Sequence, residues 1–143
     1  MTIQAQVLEM MRRLKDKYHT ATLLITHDLG VVAQMCEKVA IIYAGEVVES
    51  GAVLDIYKHT LHPYTEGLLG AILQVHLHVH RLSPIDGLMP DPMAQRTGCP
   101  FADRCKYAFE QCRVEHPRFI DAGNGHRVRC FKVENELRKG AGE

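Results

Sequence analysis

The apolar positions Ile3, Val7, Met10, Met11, Leu14 and Tyr18 recur at helical spacing, which predicts an amphipathic helix from Ile3 to Tyr18 with Thr2 as its N-cap. Ala21 to Thr26 is then a short unbroken apolar run, the pattern of a strand buried on both faces of a parallel sheet. A short helix, Leu29 to Cys36 capped by Asp28, leads to a second buried strand, Lys38 to Tyr43. Ala44-Gly45 turns the chain into Glu46 to Ser50, where Val47 and Glu49 alternate with Val48 and Ser50 as in a half-exposed hairpin arm. Helix and strand in succession predict an α/β fold.

After Gly51 the texture changes. Two helical patches follow, Val53 to Lys58 and Pro63 to Leu73, with Pro63 placed in a first turn where its missing N–H costs nothing. Between Gln74 and Arg96 periodicity fades, and Pro84, Gly87, Pro90 and Pro92 mark an irregular linker. Beyond it comes a loop-rich module with a short helix around Lys106 to Cys112, and a tail after Val133 that reads as frayed and solvated.

The 143 residues suffice for one ordinary domain. Seventeen basic and seventeen acidic side chains balance, so no global charge draws the chain to nucleic acid or an anionic membrane. Apolar runs such as Val39 to Ala44 are too short to span a bilayer, and the first residues lack a signal peptide's basic and apolar regions. The expectation is a soluble, cytoplasmic chain, peripheral to a membrane at most.

The strongest chemical signal is a quartet of cysteines: Cys99, Cys105, Cys112 and Cys130. Four thiolates gathered by a loop and its return segment suit a tetrahedral metal ion or an iron–sulfur cluster. Zinc ribbons usually offer ligands in close pairs, whereas the gaps here are five, six and seventeen residues. The wide spacing ranks a 4Fe-4S cubane above zinc, and both above disulfides or unligated thiols. Cys36, on an apolar helix face, reads as a buried free thiol. His76, His78 and His80 would share one face of a strand, a pattern more often solvated than metal-binding.

Several motifs then occur together and in order: Thr2-Ile3-Gln4-Ala5-Gln6-Val7-Leu8, Ile25-Thr26-His27-Asp28-Leu29, the hairpin Tyr43 to Gly51, His62-Pro63-Tyr64-Thr65, and Gly98-Cys99-Pro100-Phe101-Ala102-Asp103-Arg104-Cys105. In this the chain resembles the C-terminal part of the ATP-binding subunits of oligopeptide/dipeptide ABC transporters, from Thr2 to about Val133. The resemblance implies that residues 1–58 are the end of an ABC-type nucleotide-binding domain, a parallel sheet with flanking helices, and that residues 59–143 are the family's cysteine-containing extension. It implies that His27 is the switch histidine contacting the γ-phosphate of ATP, a hydrogen-bonding role suited to an imidazole at a strand's end. It implies a structural 4Fe-4S cluster on Cys99, Cys105, Cys112 and Cys130, ATP and Mg in the full-length subunit, and a place at the cytoplasmic face of the membrane. The implied partners are a second ATP-binding subunit and membrane permeases. Tyr64 would be the buried anchor packing the extension onto the nucleotide-binding domain, and His62 a structural neighbour.

The departures matter as well. The chain contains no Gly-x-x-x-x-Gly-Lys-Ser/Thr loop, and the glutamine loop, the Leu-Ser-Gly-Gly signature and the acidic strand end are absent too; Met1 falls where the family's aspartate-containing loop ends. The expectation is that this polypeptide alone does not hydrolyse ATP. Thr60 and Asp103 stand where proline is common in the family. A rival reading is an independent metal- or cluster-binding interaction module, against which the absence of a basic stripe and the sheet-like first half both weigh.

Overall fold

The computed structural model describes residues 3–76, 85, 87–91 and 97–140, in two compact units, Met1–Glu37 and Lys38–Glu143.

The first unit holds α1 (Ile3–Tyr18) and α2 (Leu29–Met35). Both follow their local signals: Oδ1 of Asp28 accepts the N–H of Val31 at 3.1 Å, satisfying one of the donors that a helix start leaves free. Thr2 lies outside the described residues. Arg12 donates to the carbonyl of Gln34 at 3.0 Å, and Lys15 pairs with Glu37 at 2.9 Å. The expected strand Ala21 to Thr26 is absent. That stretch has no ladder partner among the described residues, and Leu23 and Ile25 are 88% and 90% exposed. A short apolar run specifies a buried strand only where other strands stand on either side. The apolar stripe of α1 is likewise exposed along Ile3, Val7, Met10, Leu14 and Tyr18.

The second unit is built on β1 (Lys38–Tyr43) and β2 (Glu46–Ala52), which form a hairpin. Ala44 and Gly45 both have positive φ, 49° and 84°, as a two-residue turn matching strand twist requires. This hairpin is the one the sequence predicts; what is not formed is the parallel sheet expected around Lys38 to Tyr43, because among the described residues β1 pairs only with the strand that its two-residue turn brings back beside it. The sheet has four strands in the order β1-β2-β4-β3, with β3 (Ile120–Asp121) and β4 (Arg127–Val128) added by the distal part of the chain, every pair antiparallel. β1 is therefore an edge strand with only alternate residues inside, and is not buried on both faces.

A register shift between Ile41 and Ile42 sets Ile41 opposite Glu49 and Ile42 opposite Val47, leaving Val48 as the extra residue. This bulge turns both Val48 and Glu49 inward and breaks the simple alternation of the β2 sequence. Helices α3 (Val53–Lys58) and α4 (Pro63–His76) follow where the sequence places them. Thr60 donates its hydroxyl to the carbonyl of Ile56 at 2.7 Å, a bond proline could not make. The linker from Gln74 to Arg96 lies mostly outside the described residues, as do His78 and His80; His76 closes α4 instead of entering a strand.

The core gathers Ile41, Tyr43, Val48 and Phe101, flanked by Val39, Tyr64, Leu68 and Ile85. Tyr43 meets Phe101 edge-on at 5.1 Å and Tyr64 at 4.6 Å, so an aromatic cluster joins hairpin, α4 and cysteine loop. Tyr64 is half-buried; the fully buried tyrosine is Tyr43. The expected helix around Lys106 is shifted to α5 (Glu110–Val114), after a single 3-10 turn at Ala102–Arg104. The tail is ordered where fraying was expected: α6 (Phe131–Gly140) buries Phe131 and Val133 and carries the i,i+4 pairs Glu134–Arg138 and Lys132–Glu136.

Candidate functional site

The loop from Gly98 to Val114 is closed by its backbone. The N–H of Cys99 donates to the carbonyl of Cys112 at 2.8 Å, the N–H of Ala102 to Cys99 at 3.0 Å, and the N–H of Ala108 to Cys105 at 3.1 Å. Glycine at position 98 is required, because a Cβ there would run into the carbonyls of Cys112 and Arg113. Asp103 pairs with Arg113 at 3.1 Å across the same loop. Cys130 arrives from β4 at the start of α6.

These elements bring Cys99, Cys105, Cys112 and Cys130 to one cleft in the second unit, walled by Phe101, Ala102, Pro117 and Phe131. All four are half-buried free thiols. Burial pushes the Cys99 thiol up to about 11 and raises Cys105 and Cys130 as well, and the neighbouring sulfurs add to each rise. Backbone hydrogen bonds oppose it, from Phe101 to Cys99, from Tyr107 to Cys105, and from Val133 and Lys132 to Cys130. Three of the four sulfurs thus have a main-chain donor two residues downstream, an arrangement that stabilises thiolate and suits cation-held sulfur.

The donor set fits a thiophilic metal or cluster, but the ligand sphere is not closed. Among the described residues no group of three or more His, Cys, Asp or Glu side chains is disposed to hold a metal ion. The cleft measures about 20 Å³, room for about one water. A polynuclear core would have to spread the loop; a single ion would have to draw it tighter.

The structure does not add the other sequence candidates to this cleft. His27 sits exposed in the bend before α2, within the first unit. Cys36 caps the C-terminus of α2, its N–H bonded to the carbonyl of Val32 at 3.0 Å, and is half-buried instead of fully buried.

Two features were not legible beforehand. His62, expected only to be structural, lines the cysteine cleft. Glu49 is fully buried and joins three segments: Oε1 accepts the N–H of Leu61 at 2.8 Å and lies 2.8 Å from Nε2 of buried His126, while Oε2 accepts the N–H of His62 at 3.0 Å. A glutamate in a strand carries no sequence signal for that role.

Residues 48–112 match the family model of the oligopeptide/dipeptide transporter, C-terminal region. Over those residues the chain is similar to that C-terminal region. It is 45% identical over 135 residues to the oligopeptide transport ATP-binding protein AppD of Bacillus subtilis (strain 168), covering 94% of this chain and 41% of that protein. Identity is 43% over 130 residues to the dipeptide transport ATP-binding protein DppD of the same strain, covering 91% and 39%, and 40% over 134 residues to the oligopeptide transport ATP-binding protein OppD of Mycobacterium tuberculosis (strain ATCC 25618 / H37Rv), covering 93% and 22%. The chain therefore spans about two fifths or less of the length of these relatives. The oligopeptide/dipeptide transporter match takes in Cys99, Cys105 and Cys112 and stops short of Cys130. No helix among the described residues is long and apolar enough to cross a membrane.

Burial of His62 holds its imidazole at a pKa of about 4, below the ordinary 6.5. Because the folded value is depressed, the contribution to stability is present above about pH 6.5 and is lost as pH falls through 4. The shift corresponds to about 3 kcal/mol. Urea unfolding of the wild type and of His62→Gln across pH 4 to 7 should show that the variant loses this part of the acid dependence.

Proposed function

We propose that this chain is the C-terminal part of an ATP-binding subunit that energises import of oligopeptides or dipeptides, working at the cytoplasmic face of the membrane with a second ATP-binding subunit and transmembrane permeases. The observation that carries the reading is the match to peptide-transport ATP-binding proteins over nine tenths of the chain. In that setting residues 1–58 complete a nucleotide-binding domain and residues 59–143 form its extension. His27 then approaches the γ-phosphate of ATP, with Mg supplied beside phosphate-binding elements this sequence does not contain. The exposed stripe of α1 and the exposed Leu23 and Ile25 are apolar surface that such a domain would cover. Purified alone, the chain should turn over no ATP; saturable hydrolysis lost in His27→Ala would overturn this.

For the extension, the reading is that Cys99, Cys105, Cys112 and Cys130 hold a 4Fe-4S cluster, with zinc as the alternative. Its role is structural: four metal–thiolate bonds would tie Cys130, and with it β4 and α6, to the loop after Gly98. What supports this is the convergence of the four thiols on one cleft with main-chain donors already aimed at three of them. Protein prepared without oxygen should be brown, contain iron and sulfide, and bleach with dithionite. Serine at any of the four positions should lower the iron content, whereas Cys36→Ser should leave it unchanged. Stoichiometric zinc without iron or sulfide would decide for the alternative.

The compact Lys38–Glu143 unit, with a core of its own, favours one second reading, an independent metal- or cluster-binding module. Retention of metal and cooperative unfolding by that unit, together with failure to join any ATP-binding partner, would select it.

A further inference from the structure

Cys99 and Cys112 meet through their main chains. The N–H of Cys99 donates to the carbonyl of Cys112 at 2.8 Å, and the two segments lie so close that a Cβ on Gly98 would come within 2.6 Å of the Cys112 carbonyl oxygen. With standard covalent lengths on either side of that hydrogen bond, the two Cα atoms are at most about 6.7 Å apart, inside the roughly 4.4–6.8 Å that a disulfide spans. Both side chains are half-buried free thiols lining one cleft, so they open onto the same space. Among the described residues no other main-chain hydrogen bond joins two cysteines: Cys105 bonds to Ala102 and Ala108, and the Cys130 carbonyl accepts from Glu134. The described side chains form no group of three disposed to hold a metal ion, whereas this pair already meets the backbone requirement of a two-sulfur bond.

We propose that in the metal-free chain Cys99 and Cys112 are a dithiol–disulfide couple, oxidised by hydrogen peroxide and restored by a small dithiol. The couple belongs to the chain before any metal is held, so it does not depend on which group the quartet takes. The cleft has room for about one water and favours an oxidant near that size. One thiolate attacks a peroxide oxygen, the O–O bond breaks, and the departing hydroxide leaves as water with the thiol's proton; the sulfur is then a sulfenic acid. The second sulfur attacks the first, the S–S bond forms, the S–O bond breaks and a second water leaves. Together the two sulfurs give up two electrons, and one peroxide becomes two waters. Thiol–disulfide exchange with a dithiol reverses the step. Oxidation thus withdraws two of the four clustered thiols and fixes the loop between them, the transient kind of disulfide that a reducing compartment allows.

The test exposes the full chain, stripped of metal with a chelator, to hydrogen peroxide, blocks the remaining thiols with iodoacetamide in urea, and maps the tryptic peptides by mass spectrometry. Trypsin leaves Cys99 on residues 97–104 and Cys112 on residues 107–113, with Cys105 and Cys130 on other peptides. Expected is recovery of these two peptides joined, lighter by two hydrogens than their sum, as the predominant cysteine link, and their release by dithiothreitol. The same link should form in Cys105→Ser and in Cys130→Ser, since neither residue takes part. A predominant link from Cys99 or Cys112 to Cys105, to Cys130 or to a second chain overturns the proposal. So does recovery of both peptides unlinked, whether alkylated or carried on to sulfinic acid.

Discussion

Glu49→Ala should cost the Lys38–Glu143 unit about 3–5 kcal/mol, because it strips a fully buried carboxyl group from three donors, of which His62 and His126 are themselves buried. The amides of Leu61 and His62 and the ring of His126 all converge on that side chain, and they belong to segments 12 to 77 residues away from it. Glu49→Gln retains one acceptor oxygen and should lose less. Urea unfolding followed by far-ultraviolet circular dichroism reads both, and a Glu49→Ala midpoint within experimental error of wild type would show that the three segments are held by packing alone. In a double-mutant cycle with His126→Ala the losses should be strongly non-additive, since both changes break the same bond.

Phe101→Ala should be comparably severe, at about 3–5 kcal/mol, for a different reason. The ring is buried against Tyr43 at 5.1 Å, Tyr64 at 5.6 Å and His62 at 5.7 Å, so its removal leaves a void among side chains anchored in β1, in α4 and in the turn before α4. Phe101→Leu, which fills most of that void, should cost much less. Because Phe101 also walls the cysteine cleft, truncation should speed alkylation of Cys99 and Cys105 by iodoacetamide in metal-free protein. Unchanged stability and thiol reactivity would mean that the loop is not seated on the hairpin as described.

How much of this was legible from the chain depends on how local the cause is. The α1 stripe, the Asp28 cap, the Ala44-Gly45 turn and the starts of α3 and α4 follow from residues within one or two turns of each other, and each falls where the sequence places it. Strand direction depends on partners elsewhere: Lys38 to Tyr43 reads the same whether its neighbour runs parallel or antiparallel, and Ala21 to Thr26 reads as a strand although none pairs with it among the described residues. The bulge at Val48 is invisible in the string Glu46 to Ser50, because it is set by the register against Ile41 and Ile42. The tail was misread for its charges, which form i,i+4 pairs along α6 once Phe131 and Val133 anchor that helix.

The site divides in the same way. Thiol chemistry and spacing single out the quartet, and the fold brings its members to one cleft. His62 enters its wall only because Glu49, buried by the bulge, fixes the turn before α4. No pattern within His62-Pro63-Tyr64-Thr65 encodes that dependence.

The pairing of β2 with β4 has a consequence in time. Glu49 faces Val128 across the sheet, and its carboxyl group meets a histidine 77 residues further along the chain. At about 5–20 residues per second, a ribosome needs roughly 4–15 s to make that stretch. During that interval the hairpin is made before its neighbouring strand exists, with one edge of β2 open and a carboxyl group waiting for its imidazole. The nascent chain is then a receptive surface for another strand, and factors that shield it during those seconds should decide how much of it matures correctly.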